Sequence, residues 1–103
     1  MIYKIKFTAD SPKAIESFRT WLFGVSRGTC SHVNEELSYI STNIDSDVLE
    51  LATKKQRPDG VIFTFSAVNE IERELPEHTM KWMSDLFSKE EQLKTIIAEL
   101  KSK

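Results

Sequence analysis

Cys30 and His32 stand two residues apart, and Ser26 lies four residues before Cys30 in the run Gly24-Val25-Ser26-Arg27-Gly28. These are the side chains best suited to nucleophilic chemistry. The run fits G-x-S-x-G, which activates a serine when a strand–turn–helix elbow exposes its hydroxyl. Here the preceding residues carry helical spacing, so the elbow has no strand to start from. The expected role of Ser26 is a helix exit between two flexible glycines. A cysteine nucleophile needs a lowered pKa from a nearby base or a helix N-terminus, and His32 is the one base close in sequence. Cys30, His32 and His78 also fall short of a zinc site, which takes three or four ligands at recognisable spacing. The expected reading is therefore no catalytic residue, no metal and no cofactor.

Glu70, Glu72, Glu74 and Glu77 cluster around Pro76. Paired carboxylates perform acid–base chemistry when burial raises the pKa of one of them. Beside Arg73 this run reads as a solvated helix face. Only three glycines are present and they do not cluster, which excludes a phosphate loop or a dinucleotide fingerprint.

Two kinds of macromolecular contact remain. Lys4, Lys6, Lys54, Lys55 and Arg57 would make a small basic patch for nucleic acid. Aromatics at Tyr3, Phe63 and Phe65 would accompany it. The basic, glycine-containing motif of RNA-recognition domains is absent, and the formal net charge is −2. The alternative lies in the tail. Met80, Trp82, Met83, Phe87, Leu93, Ile96, Ile97 and Leu100 are many large apolar groups for the end of so short a chain. Met and aromatic residues are enriched at interfaces, and an amphipathic helix is a common docking element. Trp21 is a further candidate exposed aromatic.

The elements that position these residues follow from periodicity. Residues 2–8 alternate, with Tyr3, Ile5 and Phe7 on one face and Lys4, Lys6 and Thr8 on the other, as in a strand buried on one side. Ser11 and Pro12 form a helix start, followed by an apolar stripe of Ile15, Phe18, Leu22 and Val25. Gly24 is expected to end or loosen this helix. Residues 29–33 and 37–43 read as the arms of a hairpin around Asn34-Glu35-Glu36. Asp45-Ser46-Asp47 opens a second helix, with Val48, Leu49, Leu51 and Ala52 as its apolar face and Lys54, Lys55 and Arg57 at its end. Pro58-Asp59-Gly60 makes a turn. Residues 61–67 form the strongest strand, and apolar residues on both faces place it centrally. Beyond it, Val68, Ile71 and Leu75 have helical spacing before Pro76. A second helical stretch starts at Glu77, and Ser88 with Glu91 forms a capping box for a last helix.

The order β-α-β-β-α-β is that of a split βαβ unit. The expected fold is α+β, a ferredoxin-like sheet domain with a C-terminal helical extension. One domain is expected over residues 1–103, with an α/β core in 1–67 and helices in 68–103. Of the residues, 40% are hydrophobic and 29% charged, which is globular usage rather than disordered. The single cysteine excludes an internal disulfide and suits a reducing compartment, and no leader or membrane span is visible. The expected setting is cytoplasmic. The expected function is contact with another protein, as an inhibitor, immunity-type protein or adaptor. Trp21, Met80, Trp82, Met83 and Phe87 would be its contact residues, and the C-terminal helices the route to any homo-oligomer.

Overall fold

A computed structural model describes residues 1–72 and 74–102. The fold is α+β, with one antiparallel four-stranded sheet and three helices. It divides into two compact units, Met1–Glu70 and Ile71–Lys103. The first unit holds β1 (Ile2–Ala9), α1 (Pro12–Val25), β2 (Cys30–Asn34), β3 (Leu37–Ser41), α2 (Ser46–Gln56) and β4 (Val61–Val68). The second holds α3 (Glu77–Lys101).

The strand order is β2-β3-β1-β4. β1 sits between β3 and β4 and pairs with both along most of its length, from Ile2 opposite Ser41 and Val68 to Lys6 opposite Leu37 and Thr64. Its alternation explains this place. Tyr3, Ile5 and Phe7 enter a core with Ala14, Phe18 and Leu22 of α1, Leu49 of α2, Ile40 and Val61. Phe18 is at the centre of this core, with ring centroids 4.8 Å from Phe7 and 5.7 Å from Phe63. Phe63 and Phe65 continue the row at 5.2 Å. On the opposite face Ile2, Tyr39 and Val68 are buried, and Lys6, Thr8, Ile62 and Thr64 are exposed.

The start of α1 follows its sequence signal. Ser11 is the N-cap, its hydroxyl accepts from the Ala14 N–H at 3.1 Å, and Pro12 occupies the first turn. Its end does not. Gly24 is helical, and the helix runs on to Val25. The chain then exits through a Schellman arrangement, with Gly28 N donating to Phe23 O at 2.8 Å and Arg27 N to Gly24 O at 3.2 Å. Arg27 and Gly28 both take positive φ, 52° and 82°. The stop is thus made by the residues that can turn left-handed after the helix, not by the glycine inside it.

Three further expectations are corrected. β4 lies at the sheet edge, not its centre. Apolar residues on both faces suggested a strand between two others, yet Ile62 is 71% exposed. β1 takes the central place because both its neighbours align with it. Residues 69–72 and 74–76 are not helical, and Val68 belongs to β4. The i, i+3, i+4 spacing there is broken by Pro76, which begins the next helix instead. Finally, α3 is one helix of 25 residues. Ser88 and Glu91 lie inside it, because no glycine or proline interrupts 77–101 and a serine in a helix interior is tolerated. No helix among the described residues is long and apolar enough to cross a membrane.

Candidate functional site

The cluster that sequence spacing could only half anticipate lies between α1 and the β2 edge. On β2, Cys30 and His32 point to the same side, and Cys30 Sγ is 3.9 Å from His32 Nε2. Ser38 of β3 sits directly opposite His32 in the ladder, and its Oγ is 2.8 Å from His32 Nδ1. Ser38 was not singled out from sequence. The hairpin register, set by the short Asn34–Glu36 connection, is the signal that pairs it with His32. The Asn34 side chain closes that connection by accepting from Glu36 N at 2.8 Å. Arg19 reaches across from α1 and donates through Nη2 to Asn34 O at 2.8 Å, while its buried Nε has no hydrogen-bond partner. An open cleft of about 550 Å³ runs beside the cluster, lined by Ile15, Glu16, Arg19, Phe23, His32 and Glu35.

The surroundings favour the neutral forms of Cys30 and His32. Burial pushes the Cys30 thiol above its ordinary value, and the polar contact with Ser26 only partly opposes this. Burial, then the nearby Arg19 guanidinium, holds His32 below its usual 6.5. A cysteine nucleophile works as a thiolate beside an imidazolium, and both shifts run against that pair. Ser26 is equally committed to structure. Its Oγ donates to Leu22 O at 2.7 Å, and it is buried at the helix exit.

The His32 shift predicts a pH dependence. As pH falls through 6.5 the unfolded chain takes up the proton first, because the folded imidazole resists it. Stability therefore falls below that pH and levels off only beneath the lowered folded value. Thermal melts of the wild type should drop in midpoint from about pH 7.5 to about 5.5. His32→Gln should flatten that decline. An unchanged decline in the variant would place the proton uptake elsewhere.

The basic residues do not form one patch. Lys4 and Lys6 are on the sheet face opposite α1 and α2, because their neighbours Tyr3, Ile5 and Phe7 fill the core beneath those two helices. Lys54 and Lys55 are on α2, on the other side of the sheet. Lys54 pairs with Glu50 at 3.4 Å, and Arg57 Nη1 donates to Val61 O at 3.2 Å. Lys6, Lys54 and Lys55 are exposed.

The expected contact residues are largely withdrawn from solvent. Trp21 is half-buried against the core, and its Nε1 donates to Thr53 Oγ1 at 2.9 Å. Thr53 Oγ1 donates in turn to Leu49 O at 2.7 Å, so the indole ties α1 to α2. Met80, Trp82 and Phe87 are half-buried and Met83 is 0% exposed. The exposed apolar groups of α3 come later. Leu93, Ile96, Ile97 and Leu100 are 42–68% exposed and share one face at i, i+3, i+4 and i+7. Glu70, Glu74 and Glu77 are exposed and Glu72 is half-buried, but Glu70, Glu72 and Glu74 lie outside any helix, so the run does not form the expected helix face. Arg73, expected beside them, lies outside the described residues. His78 is on α3, and no group of three His, Cys, Asp or Glu residues among those described is placed to hold a metal.

Comparison with protein-family models, with curated proteins and with solved structures finds no match to the chain.

Proposed function

We propose that the chain is a small non-enzymatic module that acts by binding a partner protein, as an inhibitor, immunity-type protein or adaptor does. The observation that carries this reading is the exposed apolar stripe of Leu93, Ile96, Ile97 and Leu100 on α3. Every residue from Glu91 to Ser102 is exposed. Covering the exposed part of each of these four side chains is worth roughly 1 kcal/mol. The stripe thus supplies part of the docking energy, and burial of the partner's groove has to supply the rest. Lys89, Lys94 and Lys101 alternate with Glu90, Glu91 and Glu99 around the stripe. The matching surface is therefore an apolar groove with a rim of mixed charge, not a polyanion.

The neutral Cys30–His32 pair and the capped Ser26 hydroxyl weigh against an enzyme. The division of the basic residues between two sheet faces weighs against nucleic acid. The element succession and the strand order β2-β3-β1-β4 support a ferredoxin-like reading of the sheet. That arrangement carries many functions and selects none of them.

The test is mutational. Leu93→Lys with Ile97→Lys should abolish a stoichiometric, nuclease-resistant complex captured from native lysate by the intact chain. Circular dichroism should stay unchanged. Lys94→Glu, on the rim, should weaken the complex only mildly. A complex that survives the double substitution would remove α3 as the docking element.

A further inference from the structure

The two edges of the sheet are built differently. β2 is five residues long and carries a register shift between His32 and Asn34. Shortness and a bulge are ordinary protections of an edge strand. β4, at the other edge, is eight residues long, Val-Ile-Phe-Thr-Phe-Ser-Ala-Val, with a regular register to β1 throughout. It contains no charge, no proline and no glycine. Among the described residues no strand pairs with its outer side. A long, regular, uncharged edge is a template for another strand.

A second feature adjoins it. α1 packs over β1 and β4 and sends the Arg19 side chain to Asn34 of β2, while α2 packs over β4. Thr53 marks the side of α2 that faces α1, through the bond from Trp21. Helical geometry puts Val48, Ala52 and Lys55 on the other flank, above the β4 edge, with Leu51 at the crest. Val48 is 57% and Leu51 59% exposed. The unprotected edge and the unprotected helix flank therefore border one another.

We propose that this border is a self-association surface, occupied by a second copy of the chain. The two β4 strands pair antiparallel about a two-fold axis perpendicular to the sheet. The self-complementarity of β4 argues for this occupant. Facing residues in an antiparallel pair share a sheet face, so only registers that match odd with odd and even with even positions preserve the core face. The register centred on Thr64 places Phe63 opposite the second copy's Phe65, twice over, and Thr64 opposite its own mate. Aromatic pairs and Thr–Thr pairs are favourable across strands. Centring on Phe65 instead would leave a single aromatic pair. No charge opposes its like within β4. The same axis keeps α1 and α2 of both copies on one face of the sheet, so the Val48 flank of α2 meets its counterpart and covers apolar surface on both copies. A closed isologous pair of this kind consumes both free edges and stops growth. It uses none of the residues of the α3 stripe, nor those of the C-terminal helices to which composition assigned any homo-oligomer.

Light scattering and sedimentation of the intact chain over a rising concentration series test the proposal. The wild type should reach the dimer mass. Thr64→Lys sets two lysines against each other at the axis and should raise the dissociation constant by at least about tenfold, with the circular dichroism of the folded chain unchanged. Val48→Lys should weaken the pair less. Under oxidation Thr64→Cys should give a disulfide-linked dimer, and Ile62→Cys, which faces Ser66 rather than itself, should not. This arm decides the matter even where the lysine variant folds poorly. A chain that stays monomeric at the highest concentration overturns the proposal. So does a dimer that Thr64→Lys leaves intact and Leu93→Lys with Ile97→Lys dissolves, and so does equal cross-linking at both cysteine positions.

Discussion

Phe18→Ala should destabilise the protein by about 3–5 kcal/mol. Phe18 is 0% exposed and its ring is packed between Phe7 of β1 and Phe63 of β4. Truncation removes the ring from both contacts at once and leaves a cavity between α1 and the sheet. The surrounding groups are strands in register and a helix capped at both ends, so collapse into the void is restricted. A domain of this size has roughly 5–15 kcal/mol of total stability. The loss would thus be a large part of the whole. Urea unfolding should show a lower midpoint with an unchanged slope. A change below about 1 kcal/mol would mean that the ring is not the keystone of this layer.

The second large effect is expected at Gly60. This residue closes the turn into β4 with φ of 84°, in the left-handed region. An added Cβ costs about 1–2 kcal/mol there from backbone sterics alone. It would also run into the carboxylate of Asp10, at the far end of β1. Gly60→Ala should therefore cost more than the backbone term by itself. Asp10→Ala should be mild, and the double substitution should recover the part due to the clash. A double-mutant cycle on the unfolding free energy separates the two contributions. Simple additivity of the single changes would show that the carboxylate swings aside without cost.

Where local signals and burial agree, the fold was legible from sequence. The alternation of residues 2–8 and the Ser11-Pro12 start each depend on chemistry contained within a few residues, and both appear where the pattern places them. The hairpin around Asn34–Glu36 is of the same kind. Misreadings arose where a local pattern has two physical meanings. Apolar residues on both faces of Val61–Val68 fit a central strand, and equally an edge strand with an open face. Ser88 with Glu91 fits a capping box, and equally a helix interior. Val48 and Leu51 fit an apolar helix face, yet only Leu49 and Thr53 of α2 are buried. Which way such patterns resolve depends on the partner element, and a single strand or helix does not encode its partner. The Cys30–His32 proximity was visible as an i, i+2 relation. Ser38 completes the chain only through cross-strand register, a relation between residues six apart whose strength depends on the hairpin forming.

The central place of β1 has a consequence for assembly. β1 cannot complete its ladders until much of the chain that follows it has been made. Ile2 meets Ser41 on one side and Val68 on the other. Each closure must gather a long loop before any ladder bond rewards it. The hairpin of β2 and β3 is the local exception, since its arms are joined by Glu35 and Glu36 alone. It can form early, offer β3 as a template and seat β1, with β4 arriving last. Such a topology folds more slowly than a helical bundle of equal length. In the interval before β4 docks, its uncharged eight-residue segment is the piece most exposed to mispairing with other nascent chains.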